Sequence, residues 1–210
     1  AEQIDAMQIE CAFRAGAGFG KTTLASQWAQ RDPRPHPLVR IAPFLDDPAA
    51  LAFALVDAFE SIGPVADETR AVVTGAEPGF SALLLPAMTR LAASRERDFV
   101  LVIDDIQLLT RRECHELLRA IAEGVPEGSQ VALLSRREPP SWLARTRAEG
   151  RVFELGAADL AFDDAESCRL LEGLGASLSV DQAAELVTRA EGWPVGLYLM
   201  ALSLQTRGER

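Results

Sequence analysis

Residues 15–23 read Ala-Gly-Ala-Gly-Phe-Gly-Lys-Thr-Thr, and no other stretch restricts the fold so tightly. Glycine at every second position lets the backbone curl where a side chain would block it. Residues 7–13 before it are apolar at alternate positions and predict a strand; residues 24–30 after it predict a helix. A strand, a glycine loop and a helix in that order form a cradle for phosphate. The loop N–H groups converge on phosphate oxygens, and the helix adds its positive end. The predicted cradle is Ala15, Gly16, Ala17, Gly18, Phe19, Gly20, Lys21, Thr22 and Thr23. Lys21 would neutralise the outer phosphates as a partly exposed charge, and the Thr22 hydroxyl would hold Mg²⁺. The strict pattern has glycine where Ala15 stands; alanine suits if that position has an ordinary negative φ.

A phosphate loop of this kind works with an acidic strand end. Residues 99–103, Phe-Val-Leu-Val-Ile, run into Asp104-Asp105. A continuous apolar run predicts a strand buried on both faces, in the centre of a parallel sheet. Asp104 lies 83 residues beyond Lys21 (104 minus 21), a spacing that suits a second strand adjacent to the first. Asp104 is predicted to orient Mg²⁺ and Asp105 to polarise the attacking water. The next buried run, residues 130–134, leads to Ser135-Arg136-Arg137. A cation at the tip of the neighbouring strand can reach a γ-phosphate, which makes Arg136 the candidate sensor of di- against triphosphate.

Strand-like and helix-like segments alternate up to about residue 157. Further strands are predicted at 38–42 and 151–155, and helices at 49–61, 80–93, 113–122 and 142–148. Asp46-Asp47-Pro48 reads as a helix start, while residues 63–78 are turn-rich. This is a parallel sheet covered by helices. Beyond residue 163 the signals are helical only, at 164–174, 180–190 and 194–204, with Ser179 suited to starting the second. The expected organisation is a nucleotide-binding domain over residues 1–157 and a small helical domain over 158–210, in a piece of a longer chain.

Composition narrows the function classes. A net charge of −10 leaves little to grip nucleic acid directly. Cys11, Cys114 and Cys168 lack metal-ligand spacing and read as small hydrophobes in a reducing compartment; His36 and His115 are isolated. No run reaches the roughly 18 apolar residues of a membrane span, and no secretory signal begins the chain. A cytoplasmic location without membrane association is expected.

Four segments recur together in one family: Ala-Gly-Ala-Gly-Phe-Gly-Lys-Thr-Thr-Leu, Leu-Val-Ile-Asp-Asp, Leu-Leu-Ser-Arg-Arg-Glu-Pro-Pro, and Arg-Ala-Glu-Gly-Trp-Pro-Val-Gly-Leu. From residue 7 to about 204 the chain resembles the ATPase region of large bacterial transcriptional regulators of the maltose-activator-like, LuxR-type group. These are STAND-class signalling ATPases, relatives of AAA+ proteins. The resemblance implies an α/β P-loop fold with an AAA+-like strand order, in which the acidic strand does not follow the loop strand in sequence. It also implies ATP/ADP and Mg²⁺ as ligands, Arg136 as the sensor arginine, and Pro194 packing against adenine. Trp193 itself reads as a core residue. Family members carry a winged helix, a helical-repeat sensor and a DNA-binding effector, and ATP-dependent self-association is an expectation of the same kind. The function implied is a regulatory switch reset by slow hydrolysis. A mechanical AAA+-type remodeller or loader is the alternative; such enzymes place glutamate where Asp105 stands. A small-molecule kinase would need an arginine-rich lid, and a purely scaffolding domain would not need Lys21, Thr22 and Asp104.

Overall fold

The computed structural model describes residues 10–75, 80–174 and 179–208. Residues 7–9 of the first predicted strand and 76–78 of the turn-rich segment lie outside that range. The chain divides into two compact units. One comprises residues 10–14 and 22–154, the other 15–21 and 155–208.

The first unit is built on five strands: β1 (Glu10–Arg14), β2 (Leu38–Arg40), β3 (Val100–Asp104), β4 (Gln130–Ser135) and β5 (Val152–Leu155). They form one parallel sheet in the order β2-β3-β4-β1-β5. Every residue of β3 and β4 is buried, so both faces of the sheet centre are covered, as their unbroken apolar runs predict. The adjacency expected for the acidic strand is corrected: β4 lies between β1 and β3 and pairs with both. Parallel strands need long crossovers, and the length of a crossover does not fix which slot the next strand fills.

The first unit's helices are α1 (Lys21–Arg31), α2 (Pro48–Glu60), α3 (Asp67–Thr74), α4 (Phe80–Ala93), α5 (Arg112–Gly124) and α6 (Leu143–Ala148). Helix α2 starts as its sequence dictates: the Asp47 side chain accepts from the N–H groups of Ala49 and Ala50, and Pro48 fills the first turn. Its buried face, Leu51, Leu55, Val56 and Phe59, joins Met88 and Leu91 of α4 and Leu117 and Ile121 of α5 in the main core. The turn-rich stretch that begins at residue 63 contains the helix α3. This helix spans two turns, has no side-chain cap and buries only Thr69 and Val73, too little to mark a period.

The second unit contains α7 (Ala157–Leu160), α8 (Asp164–Gly173), α9 (Val180–Ala190) and α10 (Pro194–Gly208). The last three share a small core of Leu171, Leu186, Ala190, Leu197 and Ala201. Reciprocal capping boxes start α8 (Asp163 with Glu166) and α9 (Ser179 with Gln182).

Of the cysteines, Cys114 is buried, and burial, with Asp46 and Asp47 adding to it, pushes its thiol up to about 11. Cys168 is exposed.

Candidate nucleotide site

In the first unit, parallel pairing brings the carboxyl ends of β1, β3 and β4 to one sheet edge. Arg14 is level with Ser135, and Arg40 with Asp104. Asp104 closes β3 and is 4% exposed. One of its oxygens, Oδ2, accepts from the Thr22 hydroxyl at 2.8 Å, and the other, Oδ1, accepts from the Asp105 N–H at 2.8 Å. The Arg40 guanidinium stands 3.8 Å away, largely in solvent. A hydroxyl and a carboxylate side by side are hard oxygen donors of the kind Mg²⁺ takes alongside substrate phosphates. The donor set fits that ion.

Asp105 adopts a left-handed conformation, with φ 59° and ψ 36°. Its Oδ1 accepts from Gln107 Nε2 at 2.6 Å and lies 3.3 Å from Arg136 Nε. Gln107 in turn accepts from the Arg136 backbone N–H at 3.0 Å. The candidate water-polarising acid and the candidate sensor thus meet in a triangle closed by Gln107. Sequence reasoning missed Gln107; its one signal is a polar residue within the apolar run Ile106-Gln107-Leu108-Leu109.

In the second unit, Gly18 and Gly20 of the loop take φ of +79° and +77°, where a side chain would be strained. Ala15 has no positive φ and is buried, so alanine fits there. Lys21 is 7% exposed, which corrects the expectation of a partly exposed charge. Its ammonium donates to the Ala15 and Gly16 carbonyls at 2.7 and 2.9 Å; the loop replaces the water that burial removes. The first turn of α1, which begins at Lys21, holds no acidic residue, so its amide dipoles remain positive toward an anion. Thr23 is exposed. Pro194 opens α10, half-buried, and its neighbours on either side bond to the loop. Trp193 Nε1 donates to the Ala17 carbonyl at 2.8 Å, and the Val195 N–H to that of Gly18 at 3.3 Å. Trp193 is 39% exposed, so it is not the core residue its sequence context implies.

His36 and His115 stand apart from these groups. His36 Nδ1 donates to the Arg34 carbonyl at 2.8 Å, and His115 Nε2 to that of Leu109 at 3.1 Å. Among the described residues no group of three or more His, Cys, Asp or Glu side chains is placed to hold a metal ion.

No family model matches the chain. Curated relatives do. The HTH-type transcriptional regulator MalT of Vibrio campbellii is 30% identical over 199 residues, covering 92% of this chain and 22% of that protein. The MalT regulators of Yersinia enterocolitica (30% over 189 residues) and Serratia proteamaculans (31% over 204) each cover 89% of this chain and 21% of their own length. The chain is a homologue of the MalT regulators. It spans about a fifth of their length. Among solved structures, the Orc1 protein of Aeropyrum pernix, determined in complex with DNA, matches with a TM-score of 0.52. The match is 17% identical and covers 96% of this chain and 55% of that one. With the strand order β2-β3-β4-β1-β5, the likeness makes the fold AAA+-like. Among the described residues, no helix is long and apolar enough to cross a membrane.

Proposed function

We propose that this chain is the ATP-binding switch of a MalT-like transcriptional regulator. The observation that carries the reading is the Thr22–Asp104 hydrogen bond, which joins the first helix after the glycine loop to the end of the acidic strand. In this reading residues 15–23 cradle the phosphates, Lys21 exchanges its loop carbonyls for β- and γ-phosphate oxygens, and Pro194 packs on adenine. Thr22 and Asp104 would hold Mg²⁺, which would supply charge neutralisation to the phosphates. Asp105 orients and polarises the attacking water. Arg136 contacts the γ-phosphate and so separates ATP from ADP.

A switch requires only that ATP and ADP favour different forms. Moving a 1:99 balance to 99:1 takes about 5.5 kcal/mol of differential affinity. A hydrogen bond to a charged group contributes roughly 1.5–3 kcal/mol, so Arg136 supplies a part of that. Hydrolysis is slow, because a signal must persist long enough to be read. Residues 1–157 serve as the nucleotide-binding domain and 158–210 as a helical domain. DNA binding, sensing and self-association belong to a longer, cytoplasmic protein; a chain with a net charge of −10 is not itself the DNA-gripping part.

The test is a calorimetric titration of ATP and ADP, with Mg²⁺, into the parent chain and into Lys21→Ala. The parent should bind both. The variant should bind neither while keeping its helical circular dichroism. Unchanged ATP affinity in the variant would remove the nucleotide reading.

A further inference from the structure

Trp193 sits in a seat that only glycines permit. A Cβ on Gly196 would fall 2.2 Å from Cε3 of its ring, and one on Gly18 would fall 2.8 Å from its Nε1 and 2.6 Å from Val195 Cβ. The chain enters this seat through two consecutive left-handed residues, Glu191 (φ 47°) and Gly192 (φ 73°), which end α9 and turn the indole toward the loop. The Trp193 N–H bonds to Ala17 in the adjacent turn of the same unit, and its own backbone N–H bonds to the Ala190 carbonyl at 2.8 Å.

The two loop groups held by this segment are both carbonyls, of Ala17 and Gly18. In a planar trans peptide the C=O and the following N–H point in opposite directions. Fixing the Ala17 carbonyl therefore fixes the Gly18 N–H, and fixing the Gly18 carbonyl fixes the Phe19 N–H, both facing away from the start of α10. Those are amides of the phosphate nest. A carbonyl that accepts a hydrogen bond also polarises its peptide, which makes the opposite N–H a stronger donor.

Resting on the nucleotide reading, we propose that Trp193, with the Val195 amide, is a positioning residue that pre-orients the Gly18 and Phe19 amides toward phosphate. The indole touches the loop from behind and contributes nothing to base recognition. Phosphate binding and the setting of the α9–α10 turn are then coupled through two hydrogen bonds, because the amides are best aimed when the indole is seated.

Two replacements at residue 193 test this. Trp193→Phe removes the donor and keeps an aromatic ring; benzothienylalanine keeps the two-ring shape and replaces N–H by sulfur. Each is titrated with Mg·ATP and with inorganic triphosphate, and melted to verify folding. Losing the hydrogen bond that aims the Gly18 amide should weaken both ligands by the same factor, roughly 3- to 10-fold. A loss for ATP without a loss for triphosphate would place the indole on the base and overturn the proposal. So would unchanged affinity in the benzothienyl protein, or a loss in Trp193→Phe alone, which would be a packing effect. Failure of the parent chain to bind either ligand would instead sink the nucleotide reading, and the proposal with it.

Discussion

Asp105 offers a sharp separation of stability from activity. Its left-handed backbone, φ 59° and ψ 36°, costs a residue with a Cβ roughly 1–2 kcal/mol. Asp105→Ala and Asp105→Gly lose the same contacts, namely the bond from Gln107 and the 3.3 Å pairing with Arg136. They differ in the strain, which glycine removes, and in unfolded-state freedom, which glycine increases at a cost of about 0.4–1 kcal/mol. The difference leaves the glycine variant more stable by about 0.5–1 kcal/mol. In a chain of this size 1 kcal/mol moves Tm by about 2–4 °C, so its melting point should lie about 1–4 °C above that of the alanine variant. Asp105→Asn keeps an acceptor for Gln107 and tolerates the left-handed region. It loses only the pairing with a half-exposed arginine, worth about 0.2–1 kcal/mol, and should melt close to the parent. All three should bind ATP and turn it over far more slowly than the parent. Differential scanning calorimetry and phosphate release read the two halves. Equal melting points for the alanine and glycine variants would refute the backbone strain. Parental turnover in Asp105→Asn would refute the role in polarising water.

Arg136→Ala should weaken ATP about 10-fold, the loss of about 1.4 kcal/mol, and leave ADP within about 2-fold; equal losses in calorimetry would place the guanidinium away from the γ-phosphate. Stability should also fall on mild acidification. Burial lowers the His36 pKa below its usual 6.5, against the opposing pull of the Arg34 carbonyl and Asp32. A depressed histidine binds its proton more readily when unfolded, so its contribution is full above the unfolded pKa and declines as pH drops below about 6.5, by at most about 1.4 kcal/mol per unit. Urea unfolding between pH 7.5 and 5.5 should show that decline in the parent and a flatter profile in His36→Gln. Asp32, whose pKa is also lowered, acts only below about its usual 3.8 and does not confuse this window. Parallel profiles would exclude His36 as the cause.

The sequence carried much of this structure because several signals were local. The apolar runs at β3 and β4 admit no half-exposed strand, and Asp47-Pro48 both caps α2 and presets its first φ. Thr22 and Asp104 could be paired across 82 positions because the chemistry of a magnesium phosphate demands both residue types. Strand order was not local: the slot of β4 between β1 and β3 follows from packing of the crossovers, and spacing alone pointed to the wrong neighbour. Gln107 was hidden because its partners are a carboxylate two residues away and a backbone amide 29 positions on, and neither leaves a periodic trace. Trp193 was misread because an indole beside a helix start is ordinary core material; its partner carbonyl lies 176 positions away.

Lys21 shows how burial and function combine in one side chain. At 7% exposure its ammonium has exchanged water for, among its partners, two carbonyls of its own loop. Those carbonyls hold the loop curled around a cation before any ligand arrives, so its amides are left to face an anion. In the proposed reading an incoming phosphate competes with neutral carbonyl acceptors, and wins because it adds a charge–charge attraction to the ammonium that a carbonyl lacks. The same geometry means that Lys21→Ala does more than delete a charge. It leaves the Ala15 and Gly16 carbonyls without this donor, at about 1–3 kcal/mol for a buried polar group. Lys21→Ala should therefore melt a few degrees below the parent even without nucleotide. The parent alone should gain further stability on adding ATP, by about 2.7 kcal/mol at 100 times Kd. A variant that melted with the parent in the absence of nucleotide would show that the carbonyl contacts do not organise the loop.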